Sequence, residues 1–119
     1  MSKPSPRSLR VADLVQRELA QLIRSEMNVS RLGLITVSTV DISPDLTNAR
    51  VFITCLGAPE GVDSVIAALN EQAGHFRHEL AQVLTLRGVP RLEFVYDASV
   101  ERGSRLSALI DSLHKETRE

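Results

Sequence analysis

The sequence predicts an α+β fold in which a three-stranded mixed sheet packs against helices, and three observations carry that expectation. Apolar residues recur at helical spacing in the first quarter of the chain, two Thr-, Val- and Ile-rich runs follow as a pair, and Arg91 to Asp97 alternates apolar and polar residues. Between that pair and the last run lies a helical stretch long enough for a crossover, which a parallel strand pairing requires.

From Leu9 to Met27 the stripe Val11, Leu14, Val15, Leu19, Leu22, Ile23 and Met27 marks an amphipathic helix. Asn28 to Gly33 reads as a helix stop and turn. Residues 34–43 and 47–56 read as strands, joined through Ser43, Pro44 and Asp45 as an antiparallel hairpin. Gly57, Pro59 and Gly61 break the pattern, and a helical stripe then runs through Val62, Val65, Ile66 and Leu69. It continues through Ala73, Phe76, Leu80, Val83 and Leu84, which leaves Gly74 inside a helical pattern where glycine is costly. Gly88 and Pro90 close that segment. Leu92, Phe94 and Tyr96 then alternate with Arg91, Glu93 and Asp97 as a half-buried strand. Leu106, Leu109, Ile110 and Leu113 form the stripe of a final helix from about residue 101. The order is α-β-β-α-(kink)-α-β-α, and the neighbour relations within the sheet stay open.

At 119 residues with 43% hydrophobic content the chain suits one core, so a single domain over residues 7–115 is expected, with flexible termini at 1–6 and 116–119. Lys plus Arg number 14 against 15 Asp plus Glu, a net charge of -1, so any affinity for nucleic acid has to come from a local patch. Cys55 is the single cysteine and sits in a strand run, which reads as a core thiol in a reducing compartment. Neither a leader peptide nor a membrane span is recognisable, so a soluble cytoplasmic protein is expected.

Arg10, Arg17 and Arg24 stand seven residues apart, nearly two helical turns, and so share one face; Arg31 extends the line beyond the helix. Guanidinium groups so spaced suit successive phosphates, while the plainer reading is a solvated face with Asp13 as partner to Arg10. A second cluster holds Gly74, His75, Arg77 and His78, with Arg87 and Arg91 further on. A glycine between two helices lets the backbone bend and present amides to a phosphate, the logic of the KH module. On that reading Gly74 takes a backbone angle that only glycine accepts easily, and alanine there should destabilise. A tolerated kink in one continuous helix is the alternative. His75 and His78 lack further ligands at metal-site spacing, so no metal is expected. No nucleophile elbow, paired acidic motif or Lys-containing phosphate loop appears, so neither enzyme activity nor a cofactor is expected. Aromatic content of 3% argues against base stacking on the sheet.

The chain resembles the ribosome-binding factor A family over residues 7–115. The resemblance rests on the Arg10-Val11 helix start, Ser30-Arg31-Leu32-Gly33, the stretch 40–49 with Ser43 and Asp45, and above all residues 86–97 followed by Ser99, Glu101, Gly103 and Arg105. It implies a type II KH-like fold in which a kink commonly reading alanine, any residue, glycine replaces the usual glycine loop; here Gln72 stands at the alanine position, before Ala73 and Gly74. It further implies a monomer that binds the free or immature 30S subunit and its 16S rRNA near the 5' terminal and decoding-region helices. Late 30S maturation and rRNA processing follow as expected roles, with an assembly GTPase assisting release. The expected RNA-binding residues are Arg10, Arg17, Arg24, Arg31, Gly74, His75, Arg77, His78 and Arg87. A protein-interaction module without nucleic-acid binding is the competing reading.

Overall fold

The structure is a computed structural model that describes residues 6–84 and 88–99. The elements run α1 (Pro6–Glu26), α2 (Val29–Leu32), β1 (Leu34–Ile42), β2 (Asn48–Leu56), α3 (Val62–Glu71), α4 (Ala73–Val83) and β3 (Arg91–Tyr96). Arg87 and the expected final helix beyond Ser99 lie outside the described residues.

The described part of helix α1 begins at Pro6, ahead of the apolar stripe. Its stripe turns Val11, Val15, Leu19 and Ile23 into the core. Leu14, counted in that stripe on spacing, is instead 42% exposed. Where a plain turn was expected the chain makes the short helix α2. Asn28 nucleates it by accepting at Oδ1 from the amides of Ser30 (3.0 Å) and Arg31 (3.4 Å), a side-chain N-cap. Gly33 ends it with φ 78°, and its amide donates to the Val29 carbonyl at 2.7 Å.

The sheet has the order β1-β2-β3, with β1 and β2 antiparallel and β2 and β3 parallel, so it is mixed as expected. Parallel pairing begins at the first residue of β3 and runs one residue past its last, since Arg91 donates to the Thr47 carbonyl at 2.9 Å and Asp97 to the Ile53 carbonyl at 2.7 Å. The hairpin is a tight turn closed by the Leu46 amide donating to the Ser43 carbonyl at 2.8 Å, after which Leu46 takes φ 63°. Asp45 Oδ1 accepts from the hydroxyls of Ser43 and Thr47, each at 2.7 Å, and from the Thr47 amide at 3.2 Å. These donors, the Ser43 hydroxyl foremost, hold its carboxyl below the ordinary carboxylate value.

The β1–β2 register slips between Val37 and Thr39, which makes Ser38 the extra residue of a β-bulge. A bulge frees backbone groups, and here they are answered from outside the sheet. Gln16 of α1 donates to the carbonyls of Val37 and Ser38, both at 3.3 Å, and the Ser38 hydroxyl lies 2.6 Å from Asp97 Oδ2 and 3.2 Å from the Phe52 carbonyl.

Helix α1 lies over β1, α3 and α4 lie over β3, and α4 touches α1, so the helices share one face of the sheet. The core between the layers holds Ile35, Val37, Val40, Val51, Ile53 and Phe94 from the strands against Val15, Leu19, Val65, Leu69, Phe76 and Leu80 from the helices. Phe94 is the strand aromatic that goes to the core; Phe52 and Tyr96 are half-buried, so the sheet displays no exposed aromatic among the described residues. Cys55 is partly buried beside this core, and burial pushes its thiol up from the ordinary value, which keeps it a poor nucleophile.

The long helical stripe between β2 and β3 is broken, as the kink reading expects, but not by Gly74. The break falls on Gln72, at φ -92° and ψ 3°, whose amide donates to the carbonyls of Ala68 and Leu69. Gly74 sits in the first turn of α4, is absent from the positive-φ glycines, and a Cβ built on it meets nothing within 4 Å. The expectation of a glycine-only angle there is therefore corrected, and so is its consequence. Because alanine is the better helix former, Gly74→Ala is expected to raise the urea midpoint, stabilising by up to about 1 kcal/mol, and a lowered midpoint would contradict the geometry.

Candidate nucleic-acid interface

Heptad spacing does place Arg10, Arg17 and Arg24 on the exposed side of α1, opposite the buried stripe. Their electrostatic states differ. Arg17 pairs with Asp13 at 2.6 Å, across one turn in the i, i+4 order that helices favour, so Asp13 serves Arg17 and not Arg10. Arg24 donates from Nε to the Ala20 carbonyl at 3.3 Å, and Arg31, on α2, lies 3.8 Å from a Glu60 carboxylate oxygen. Both ion pairs are solvent-exposed and worth little, so a phosphate competes with them at small cost.

The second predicted cluster is divided by the helix that carries it. Residues two apart on α4 point about 200° apart, and His75 and Arg77 accordingly face opposite ways. His75 Nε2 lies 2.8 Å from Glu26 Oε1 at the end of α1, whereas Arg77 donates from Nε to the Val89 carbonyl at 2.9 Å. His78 lies 3.0 Å from Gln82 Nε2. Around His75, the cleft at the kink also carries Glu71 and Gln72 together with Glu26 and Arg31, so two carboxylates oppose any phosphate brought to the start of α4.

The His75–Glu26 pair has its own logic. A carboxylate at the C-terminus of α1 and an imidazolium in the first turn of α4 each sit at the unfavourable end of a helix dipole, and together they cancel that disadvantage. The Glu26 hydrogen bond, opposed by desolvation and aided by the Glu26 and Glu79 charges, raises the His75 pKa above 6.5. Since the folded value lies above the unfolded one, the pair contributes fully below the unfolded pKa and fades as pH rises through the folded value. An NMR titration of the His75 ring should give a midpoint above 6.5, and Glu26→Gln should bring it down toward 6.5.

Spacing alone did not reveal a further gathering of positive charge among the described residues. Arg7 at the start of α1, Arg77 on α4 and Arg91 at the start of β3 line one cleft beside the hairpin turn. Only the fold brings them together, although Arg91 was visible as part of the second cluster. Asn70 was missed as well: its side-chain amide accepts from the Phe94 amide at 2.9 Å and donates to the Phe94 carbonyl at 3.1 Å, which docks α3 on β3. Among the described residues, no group of three or more His, Cys, Asp or Glu side chains is placed to hold a metal ion, and no helix is long and apolar enough to cross a membrane.

Comparison with known proteins agrees with this architecture. The family profile described as ribosome-binding factor A matches residues 7–110. The chain is 50% identical over 118 residues to ribosome-binding factor A of Nitrosococcus oceani, covering 98% of this chain and 93% of that protein. It is 46% identical over 113 residues to that of Aromatoleum aromaticum, covering 95% and 89%. Among solved structures, the crystal structure of ribosome-binding factor A from Thermus thermophilus superposes with a TM-score of 0.65 at 27% identity, covering 75% of this chain and 94% of that one. A homology model of the Thermus thermophilus protein, fitted into the electron cryo-microscopy map of a 30S complex with ribosome-binding factor A, gives a TM-score of 0.63 at 26% identity, covering 73% and 91%. The α+β architecture is thus the KH-like one of these structures, and the chain belongs to the ribosome-binding factor A family.

Proposed function

We propose that this protein is a cytoplasmic assembly factor whose single domain, residues 7–115, binds the free or immature 30S subunit through its 16S rRNA and supports late 30S maturation and rRNA processing. The observation that carries the reading is the shared fold with the Thermus thermophilus protein fitted into a 30S complex. The exposed arginine face of α1 supports it, because Arg10, Arg17 and Arg24 can follow a phosphate backbone without reading bases. Arg77 is the member of the second cluster best placed to join them. His75 is a weaker candidate beside Glu26 and Glu71, and Gly74 and His78 complete the proposed set.

Binding by phosphate neutralisation has a measurable signature, the fall of affinity with salt. Co-sedimentation of the purified protein with 30S subunits over a salt series should give a steep log-log slope. Replacing both Arg17 and Arg24 by alanine should shallow it by about 0.7–0.9 for each phosphate no longer neutralised. An unchanged slope with unchanged affinity would remove α1 from the interface. The competing reading, a protein-docking module, draws on Leu9 and Leu14, which are 58% and 42% exposed on the same helix; it requires 30S binding that resists salt.

A further inference from the structure

The cleft of Arg7, Arg77 and Arg91 has the chemistry of an anion site built from three separate elements. Ion pairs among the described residues occupy Arg17 and Arg31 but none of these three arginines. Like charges gathered on a concavity repel one another, and an entering anion relieves that repulsion. Asp45 is the carboxylate on the rim, and its Oδ1 is already taken by Ser43 and Thr47, which assigns it to the hairpin turn. Set against the three arginines, its charge still leaves the described lining of the cleft net positive.

Arg77 is held in advance. Its Nε bond to the Val89 carbonyl orients the guanidinium plane and leaves the terminal nitrogens for a bidentate grip, so less freedom is lost when a ligand arrives. Among the described residues the cleft lining contains no aromatic side chain, which disfavours a base and favours a backbone group. Arg10 lies one turn along α1 from Arg7, so the positive surface continues from the cleft onto the helix, a track for a polyanion and not a socket for one carboxylate.

We propose that this cleft seats successive backbone phosphates of the small-subunit RNA, one gripped by Arg77 and its two neighbours met by Arg7 and Arg91; the assignment rests on the RNA-binding reading above. The test compares the full chain with an Arg7→Gln, Arg91→Gln double variant and with Arg77→Lys, over a salt series, on 30S subunits and on 16S rRNA stripped of protein. The double variant should keep the wild-type melting temperature and shallow the slope on both probes by about 1.4–1.8, two phosphate interactions at about 0.7–0.9 each. Arg77→Lys should keep the slope, since charge is retained, while affinity falls several-fold because the planar fork is gone. An unchanged slope in the double variant, when the wild type binds both probes, would overturn the cleft and leave the 30S reading standing. A loss on subunits without a loss on stripped rRNA would also overturn it, by assigning the arginines to a protein carboxylate. A wild type that binds stripped rRNA but not subunits would sink the assembly reading while the slope still judged the cleft, and binding to neither would sink both.

Discussion

Gly33→Ala is expected to destabilise the protein by about 3 kcal/mol or more, a large fraction of the total stability of a small domain. Two independent costs meet at this residue. Its backbone, at φ 78° and ψ -175°, lies in a region that essentially only glycine occupies, and a Cβ there would stand 2.5 Å from the Leu56 carbonyl oxygen and 2.9 Å from the Ala58 nitrogen. Both obstacles are backbone atoms, so no side chain can swing aside. Gly57 and Gly61 supply the control, because they share positive φ yet have open space around the missing Cβ. Urea midpoints should therefore fall much further for Gly33→Ala than for Gly57→Ala. Equal losses would show that strain alone, without the close approach, sets the cost.

The second large effect belongs to the core. Phe76 of α4 and Phe94 of β3 meet edge to face, ring centroids 5.9 Å apart and planes inclined by 62°, and both are fully buried. Truncating Phe76 to alanine removes that ring pair and leaves a cavity where helix and sheet join, for an expected loss of about 3–5 kcal/mol. Phe76→Leu, which fills most of the volume, should lose clearly less. Thermal melts of the two variants check the ordering, and a Phe76→Ala protein as stable as the wild type would mean that α4 does not anchor β3.

The core was legible in the sequence because burial is periodic. Val11, Val15, Leu19 and Ile23 on α1, and Val65, Leu69, Phe76 and Leu80 across the broken helix, are buried as their spacing predicts. What the sequence concealed depends on contacts between residues far apart in the chain. The bulge at Ser38 needs Gln16 from one side and Asp97 from the other, and no local pattern announces two such partners. The helix break was legible from the weak point near Gly74, but its place was not, since backbone angles follow from how α3 and α4 each dock on β3. On the candidate interface, the α1 arginines were readable from a period of seven, yet the ion pair of Arg17 was not assigned correctly. His75 and Arg77 looked like one cluster only while they were read as neighbours in a line; on a helical cylinder they belong to different surfaces.

Asn70 bears on how the protein behaves in a crowd of its own copies. Among the described residues strand β3 has a strand neighbour, β2, along one side only, and an unaccompanied strand rim is a template on which another chain can lay a strand and begin aggregation. The Asn70 amide occupies both backbone groups of Phe94 on that rim, as a neighbouring strand would, and ends the ladder with a single side chain. The middle of that rim is thereby answered by one amide group, where a docking strand would otherwise find both backbone groups of Phe94 open.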